Sequence, residues 1–210
     1  MSNQVELLGT YGGDETHAAS AWCSTGGMTA ERKARIPQML KKLAEDGHHT
    51  PFEKSMLHFQ VTCDTASHIH LLKHRIGVSV NAESARYAEL KGDRALVPDD
   101  WPENLQNALN LHITESQLLY HEAIKRLEPI VGRKRAKESA RFFLPYANQL
   151  SLDVGFNFRS FIHFQKLRNS EHAQLEIREI TQKMLELVRA SGSFRYSLEG
   201  FGYGTTTETR

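Results

Sequence analysis

The spacing of hydrophobic and polar residues divides the chain into amphipathic helices and a few widely separated strands. Apolar residues at helical spacing predict helices over residues 30–46, 66–73, 104–127, 133–143, 161–168 and 171–190. Short apolar or alternating runs predict strands at residues 5–8, 57–61 and 154–158. Thr29 is placed to cap the first helix, and Gly47 to end it. The pattern predicts an α+β fold that is rich in helix.

A basic triplet, Lys73-His74-Arg75, follows the second of these helices. Gly77 and the β-branched Val78 and Val80 disfavour a continuous helix, so a loop is expected here. The polar side chains that follow are those of Ser79, Asn81, Glu83, Ser84, Arg86 and Tyr87. Such loops present backbone N–H groups and guanidinium groups to phosphates. From composition alone, a solvated basic turn with surface ion pairs is equally well supported.

Three further segments carry candidate chemistry. Gly47–Glu53 contains two imidazoles and a proline turn, which by itself favours a capped helix end. Asn157–His163 combines polar and aromatic residues that suit either a planar ligand or a core helix face. Arg168 and His172 would share a face of a continuous helix, four residues apart. Arg141 alone would be an ordinary arginine at a helix end.

Composition narrows the possible functions. The chain has 210 residues and a net charge of +1, which fits one domain without a strong field for nucleic acid or anionic membrane. It lacks a signal-peptide pattern and any run of about 18 apolar residues, so no membrane-spanning helix is expected. Cys23 and Cys63 form no disulfide framework and suit a reducing compartment, so a cytoplasmic protein is expected. The spacing of His68, His70 and His74 could suit zinc, but the flanking cations disfavour a metal, and none is expected.

Taken together, these segments resemble the flavin-dependent thymidylate synthase (ThyX) family, whose signature is RHR-x7-S. The resemblance spans roughly residues 14–190 and rests on blocks in the family's order: Gly47–Glu53, where the family commonly has GHxTPFEH, Lys73–Tyr87, Arg141 before Leu144-Pro145, Asn157–His163, Leu167-Arg168 and His172–Gln174. Lys73 replaces the first signature arginine, and the spacer from Arg75 to Ser84 is one residue longer. We place the extra residue near residues 76–78, so that Ala82 occupies a position where the family often has Glu, beside Glu83.

The resemblance implies roles for individual residues. The positions implied to bind flavin are His48, Thr50, Glu53, Lys73, His74, Arg75, Glu83, Asn157, Arg159, His163 and His172. The positions implied to hold deoxyuridine monophosphate (dUMP) are His70, Lys73, Glu83, Ser84, Ala85, Arg86, Arg141 and Arg168, of which Arg168 is implied to be catalytic. The implied fold is a single helix-rich domain over residues 1–203 with a central, mainly antiparallel sheet, followed by a polar tail at 204–210.

The implied reaction is the reductive methylation of dUMP to thymidylate (dTMP). The implied cofactor is flavin adenine dinucleotide (FAD), with NADPH and 5,10-methylenetetrahydrofolate as co-substrates. The implied assembly is a homotetramer with sites shared between subunits, and neither nucleic acid nor a membrane is expected as a partner. Three alternatives stay open: another one-carbon transfer such as hydroxymethylation, a non-catalytic flavin or nucleotide-binding protein, and a helical interaction module.

Overall fold

The computed structural model describes residues 2–90 and 92–204. The helices are α1 (Asp14–Trp22), α2 (Ala30–Lys33), α3 (Ile36–Glu45), α4 (Thr65–Leu72), α5 (Glu103–Ala140), α6 (Phe158–Arg168), α7 (Leu175–Ser191) and α8 (Arg195–Gly200). The strands are β1 (Gln4–Tyr11), β2 (Met56–Asp64), β3 (Val78–Ala82) and β4 (Gln149–Phe156). Short 3-10 helices span Cys23–Thr25, Thr50–Glu53 and Arg141–Phe143.

The four strands form one antiparallel sheet in the order β1-β2-β4-β3. The predicted α+β class with a mainly antiparallel sheet is therefore confirmed. Contacts within the chain group into two compact units. Unit I comprises Met1–Gln4, Val61–Lys73 and Asn81–Leu152, and unit II comprises Val5–Gln60, His74–Val80 and Asp153–Arg210. The single domain over 1–203 stays a prediction, and the predicted tail lies outside the described residues except for Gly204.

Several local predictions need correction. The helix predicted over 30–46 is two helices, α2 and α3, because the ring of Pro37 cannot fit against the carbonyl of Lys33 in a continuous helix. The loop predicted after the basic triplet contains strand β3, since β-branched Val78 and Val80 favour an extended backbone. Helices α1 and α8 were not predicted. The predicted break at Gly132 is present as a non-helical residue (φ 79°, ψ 155°) inside α5.

Unit I is organised by the long helix α5. Tyr120 and Ile124 of α5 are buried together with Ala85 and Leu90 of the segment that follows β3. The Tyr120 hydroxyl accepts a hydrogen bond from the backbone N–H of Leu90 at 3.0 Å. His121, the next residue of the helix, contacts carboxylates of the same segment. Helix α5 therefore fixes the course of the chain just beyond the basic triplet.

Unit II has an aromatic core around a buried histidine. His17 lies in contact with the rings of Phe52, Phe158 and Phe194, at centroid distances of 5.2 to 5.8 Å. Burial lowers the pKa of His17 from 6.5 to about 4, so the ring is neutral near pH 7. A neutral imidazole donates one hydrogen bond and accepts one, which suits two hydroxyl neighbours.

Hydrogen bonds around His17 form a single directed chain. Ser197 Oγ lies 2.6 Å from an oxygen of buried Asp14 and donates to it, which leaves Ser197 Oγ to accept from His17 Nδ1 at 2.8 Å. The other ring nitrogen, Nε2, then accepts from Ser55 Oγ, also at 2.8 Å. Asp14 additionally accepts from the backbone N–H groups of Tyr196 and Ser197. The chain connects α1, α8 and the start of β2 within unit II.

We expect the free energy of unfolding to fall as the pH is lowered from about 6.5 to about 4. In this window the unfolded state binds a proton at His17 that the folded state does not, and the loss from this group approaches about 3 kcal/mol at pH 4. Burial raises the pKa of Asp14, so that carboxyl acts in the opposite direction and offsets part of the loss.

Urea unfolding of the wild type and His17→Gln at pH 7.5 and pH 5 tests this expectation. The glutamine variant should show a smaller difference between the two pH values, because it lacks the titrating ring. His112→Gln, at an exposed position of α5, is the matched control and should behave like the wild type. An equal pH dependence in His17→Gln and the wild type would contradict the assignment.

Candidate functional site

Unit I contains a pocket of about 530 Å³ that gathers four of the predicted dUMP residues. Glu83, Ser84, Ala85 and Arg141 line it. The other lining residues are Thr65, His68, Leu72, Ala82, Leu90, Leu144, Pro145, Tyr146, Asn148 and Leu150. The pocket therefore combines one arginine and one carboxylate with a largely apolar wall, a setting that suits a ligand with an anionic end and a flat apolar body.

The remaining predicted dUMP residues of unit I lie outside the pocket lining. His70 lies in the last turn of α4, and exposed Lys73 caps the end of that helix. Arg86 donates from Nε to Glu138 Oε1 of α5 at 2.8 Å, and its guanidinium lies 5.8 Å from the ring of Tyr87. The backbone N–H of Arg86 also contacts Ser84 Oγ at 3.2 Å, which fixes a tight turn. The roles of these three residues with dUMP stay predictions.

Glu83 has a partner that was not predicted from the sequence. Arg94 Nη2 lies 2.5 Å from Glu83 Oε2, and Arg94 Nη1 donates to Ser151 Oγ at 2.9 Å. The backbone N–H of Ser151 also donates to Glu83 Oε2, at 3.2 Å. Arg94 lies in an irregular segment before α5 and belongs to no motif, so no pattern in the sequence links it to Glu83.

In unit II, the turn after the basic triplet packs on the N-terminus of α6. The backbone N–H of Asn157 donates to the Gly77 carbonyl at 2.9 Å, and Ser160 Oγ donates to the Ile76 carbonyl at 2.6 Å. Gly77 has a φ of +65°, and a Cβ added there would lie 2.2 Å from Asn157 Nδ2 and 2.4 Å from Ser160 Oγ. Only glycine fits this turn, which lies where we place the extra residue of the spacer.

The candidate catalytic arginine contacts a predicted flavin residue. Arg168 Nε lies 3.2 Å from His74 Nε2. A guanidinium has donors but no acceptor, so His74 Nε2 accepts and the ring carries its proton on Nδ1. The His74 ring also makes edge contacts with Phe164 and His163, at centroid distances of 4.9 and 6.2 Å. The structure thus brings Arg168, His74 and His163 together in unit II.

His172 does not share a helical face with Arg168, so that prediction is wrong. Helix α6 ends at Arg168 and α7 begins at Leu175. Ser170 closes a turn between them, since its Oγ accepts from the His172 N–H and its carbonyl accepts from the Ala173 N–H. Asparagine and serine after Arg168 favour such turns over a continuous helix. His172 is exposed in this connection.

The Thr50–Glu53 turn carries a second contact between predicted flavin residues. Glu53 and Arg159 form an ion pair.

The two adjacent histidines before this turn have different surroundings. His49 Nε2 contacts the Ala44 carbonyl at 3.1 Å and its ring packs near Phe201, so His49 caps the end of α3. Its neighbour His48 is exposed, as are Thr50, Arg75 and His163. The pair of histidines therefore divides into one that closes the helix and one that faces solvent.

The histidine spacing that raised the zinc alternative does not bring three ligands together within the part of the chain that the structure describes. Within residues 2–90 and 92–204, no cluster of His, Cys, Asp or Glu is arranged to hold a metal ion. Over the same residues, the structure has no helix with the length and hydropathy needed to span a membrane.

Comparison with known proteins decides the family. A family model described as thymidylate synthase complementing protein matches residues 6–191 of the chain. The chain belongs to this family. A flavin-dependent thymidylate synthase of Mycobacterium avium is 34% identical over 158 residues, which cover 70% of this chain and 62% of that relative. Another from Pseudothermotoga lettingae is 30% identical over 210 residues, covering 93% and 92%.

A solved structure shares the fold of this chain. The UMP/dUMP methylase PolB from Streptomyces cacaoi, bound with 5-Br dUMP, superposes with a TM-score of 0.78 over 97% of this chain and 96% of that one. Its sequence identity is 24%, so it shows the fold alone. The resemblance to flavin-dependent thymidylate synthases stated from the signature residues is confirmed.

We expect Gly77→Ala to destabilise the protein by about 1–3 kcal/mol more than Gly47→Ala. Both glycines have positive φ, +65° and +77°, so alanine is strained at each, but nothing lies within 4 Å of a Cβ at Gly47. At Gly77 the new methyl must displace Asn157, which caps α6 by accepting from the Ser160 N–H at 2.8 Å. Denaturant unfolding of the two variants measures the difference. Equal losses of stability would show that the Gly77 turn is not held against α6.

Proposed function

We propose that the protein catalyses the reductive methylation of dUMP to dTMP, with 5,10-methylenetetrahydrofolate as carbon donor and FAD reduced by NADPH. The observation that carries the proposal is the unit I pocket, in which Glu83, Ser84 and Ala85 of the signature line one cavity with Arg141. Two relatives are flavin-dependent thymidylate synthases, and the structural neighbour holds 5-Br dUMP, which supports a pyrimidine nucleotide as ligand.

The predicted flavin residues of unit II have a chemistry that fits FAD. Exposed Thr50, Arg75 and Arg159 offer hydroxyl and guanidinium donors, which suit a pyrophosphate. The rings of His74 and His163 offer flat faces and N–H groups for a heterocycle. These residues, with His48, Glu53, Lys73, Asn157 and His172, would hold the cofactor. Bound FAD would supply the reducing equivalents that turn the transferred carbon into a methyl group.

Arg141 would hold the phosphate of dUMP from the pocket wall, assisted by Lys73 and Arg86. Loss of one such charge-assisted contact costs about 1.5–3 kcal/mol of binding. His70, Ser84 and Ala85 would complete the nucleotide contacts. Each site of the proposed homotetramer is built from several subunits, so residues of unit I and unit II need not meet within one chain.

Arg168 would stabilise the uracil ring as negative charge develops on it. C5 must become electron-rich to attack the methylene donor, and a permanently protonated guanidinium at the edge of the ring stabilises that charge. The partly buried position of Arg168 strengthens this electrostatic effect compared with an arginine in bulk water. His74 accepts from Nε and orients the guanidinium, which keeps its other N–H groups available for the ring.

A cysteine nucleophile finds no support in the described residues. Cys63 is fully buried, and burial, together with the nearby charge of Asp64, raises the pKa of its thiol well above the ordinary value. Cys23 is exposed but is neither a predicted flavin residue nor a predicted dUMP residue. The proposed route, in which the cofactor and folate carry the chemistry, requires no covalent bond between the enzyme and uracil.

Self-association is supported by the exposed side of α5. Leu105, Leu111, Leu118, Leu119 and Ile130 are each at least half exposed on this helix. Large apolar side chains that are exposed together on one element mark interaction surfaces. We propose that the protein is a homotetramer located in the cytoplasm.

An alternative one-carbon transfer is suggested by Lys73, which replaces the first signature arginine, and by the lengthened turn at Gly77. Analysis of the product distinguishes it from the proposed methylation. We expect the FAD-reconstituted enzyme, given NADPH, methylenetetrahydrofolate and dUMP, to form a nucleotide heavier by one CH₂ group. Mass spectrometry identifies it. A product carrying an added hydroxymethyl group would establish the alternative reaction, and UMP assayed in parallel tests whether the ribonucleotide is also a substrate.

Arg168→Ala should retain FAD but lose thymidylate formation, because the variant keeps the predicted flavin residues and removes the cation that stabilises the uracil anion. Flavin absorbance after gel filtration measures retention, and dTMP release measures turnover. Arg126→Ala removes a surface arginine paired with Glu122 and should leave both unchanged. Turnover of Arg168→Ala close to that of the wild type would exclude Arg168 from the mechanism.

A further inference from the structure

Glu83 is the single acidic residue among the described residues that line the unit I pocket. The proposed occupant, dUMP, carries a phosphate charge of about −1.5 to −2 near pH 7. A free carboxylate in the same pocket would repel this anion. Glu83 therefore needs a neighbouring cation if the pocket is to hold a nucleoside monophosphate.

Arg94 provides that cation and also fixes the orientation of the carboxylate. Its Nη2 binds Glu83 Oε2 while its Nη1 binds Ser151 Oγ, so one guanidinium spans β4 and the end of β3. Ser151 donates its N–H to the same Oε2 and accepts the Glu83 N–H at 2.8 Å. The backbone and side chain of Glu83 are thus both held by Ser151.

These contacts leave Glu83 Oε1 as the oxygen that can accept from a ligand. No side chain or N–H group in the described residues donates to Oε1. The side chains of Arg94 and Glu83 are about one-third exposed (31% and 34%), so solvent weakens the pair without removing it. Arg94 is not among the residues that line the pocket, whereas Arg141 is.

We propose that Arg94 is a positioning residue: it neutralises Glu83 and holds the carboxylate so that Oε1 accepts a hydrogen bond from the bound pyrimidine nucleoside monophosphate. This inference rests on the proposed function of the pocket. Arg94 acts through Glu83 and does not itself contact the phosphate. Its removal therefore matters because it leaves an uncompensated carboxylate beside an anionic ligand.

Titration calorimetry with dUMP and with deoxyuridine tests the proposal. Arg94→Met should weaken dUMP binding roughly tenfold or more, since it exposes the ligand to an uncompensated charge. Binding of deoxyuridine, which lacks the phosphate, should weaken less. The double variant Arg94→Met/Glu83→Gln should recover much of the dUMP affinity, because the repelling carboxylate is gone. In steady-state assays Arg94→Met should raise KM for dUMP more than it lowers kcat.

Arg133→Met is the matched control. Arg133 is another unit I arginine paired with carboxylates, those of Glu89 and Glu128, but it does not line the pocket. It should bind dUMP as the wild type does. If Arg94→Met does not fold, Arg94→Lys and Arg94→Gln replace it, and the charged lysine variant should bind dUMP more tightly than the neutral glutamine variant.

Three results would overturn the proposal. They are wild-type affinity for dUMP in Arg94→Met, a double variant that binds no more tightly than Arg94→Met, and equal affinities in Arg94→Lys and Arg94→Gln. The second result would indicate that Arg94 contacts the phosphate directly. A wild-type protein that binds neither dUMP nor deoxyuridine would overturn the proposed function itself, which distinguishes the two failures.

Discussion

The contact between the Gly77 turn and the N-terminus of α6 is the interaction on which the arrangement of the predicted flavin residues of unit II depends. The Asn157 backbone and the Ser160 hydroxyl both donate to carbonyls of this turn, and no side chain fits at Gly77. Because His74 lies three residues before Gly77, the same contact sets where its ring meets Arg168. A chain with a longer spacer can keep this arrangement only if the additional length is absorbed in a turn that packs on α6.

In unit I, α5 has the corresponding role for the segment that carries Glu83 and Ser84. Its Tyr120 hydroxyl binds Leu90, and its Lys137 Nζ donates to the Tyr87 carbonyl at 2.6 Å. His121 lies between Glu89 and Asp93 at 2.9 Å from each. Burial opposes its charge, but the two carboxylates raise its pKa above the ordinary value. Helix α5 thus holds a segment of irregular backbone, a common arrangement for binding residues.

Local signals predicted much of this structure. Alternation located β2, the capping pattern located both ends of the first helical region, and Gly132 marked the break in α5. The prediction that Arg168 and His172 share a helical face was wrong, because the Asn-Ser turn after Arg168 ends the helix despite the helical spacing on either side. Arg94 could not be predicted, since its pairing with Glu83 depends on how the segment before α5 folds back towards β4. The contact of Arg86 Nε with Glu138, 52 residues further along the chain, is likewise absent from the sequence pattern, and the role of Arg86 at a phosphate stays a prediction. Such pairings arise from tertiary packing and leave no periodic trace in a single sequence.

We propose that reoxidation of the reduced flavin and methylation of dUMP are one coupled reaction. Anaerobic reduction of the FAD-reconstituted enzyme, followed by addition of dUMP and methylenetetrahydrofolate, tests it directly. We expect flavin reoxidation to require both additions and to yield dTMP in equal amount. Reoxidation without dTMP, or reduced flavin that persists with both ligands bound, would contradict it.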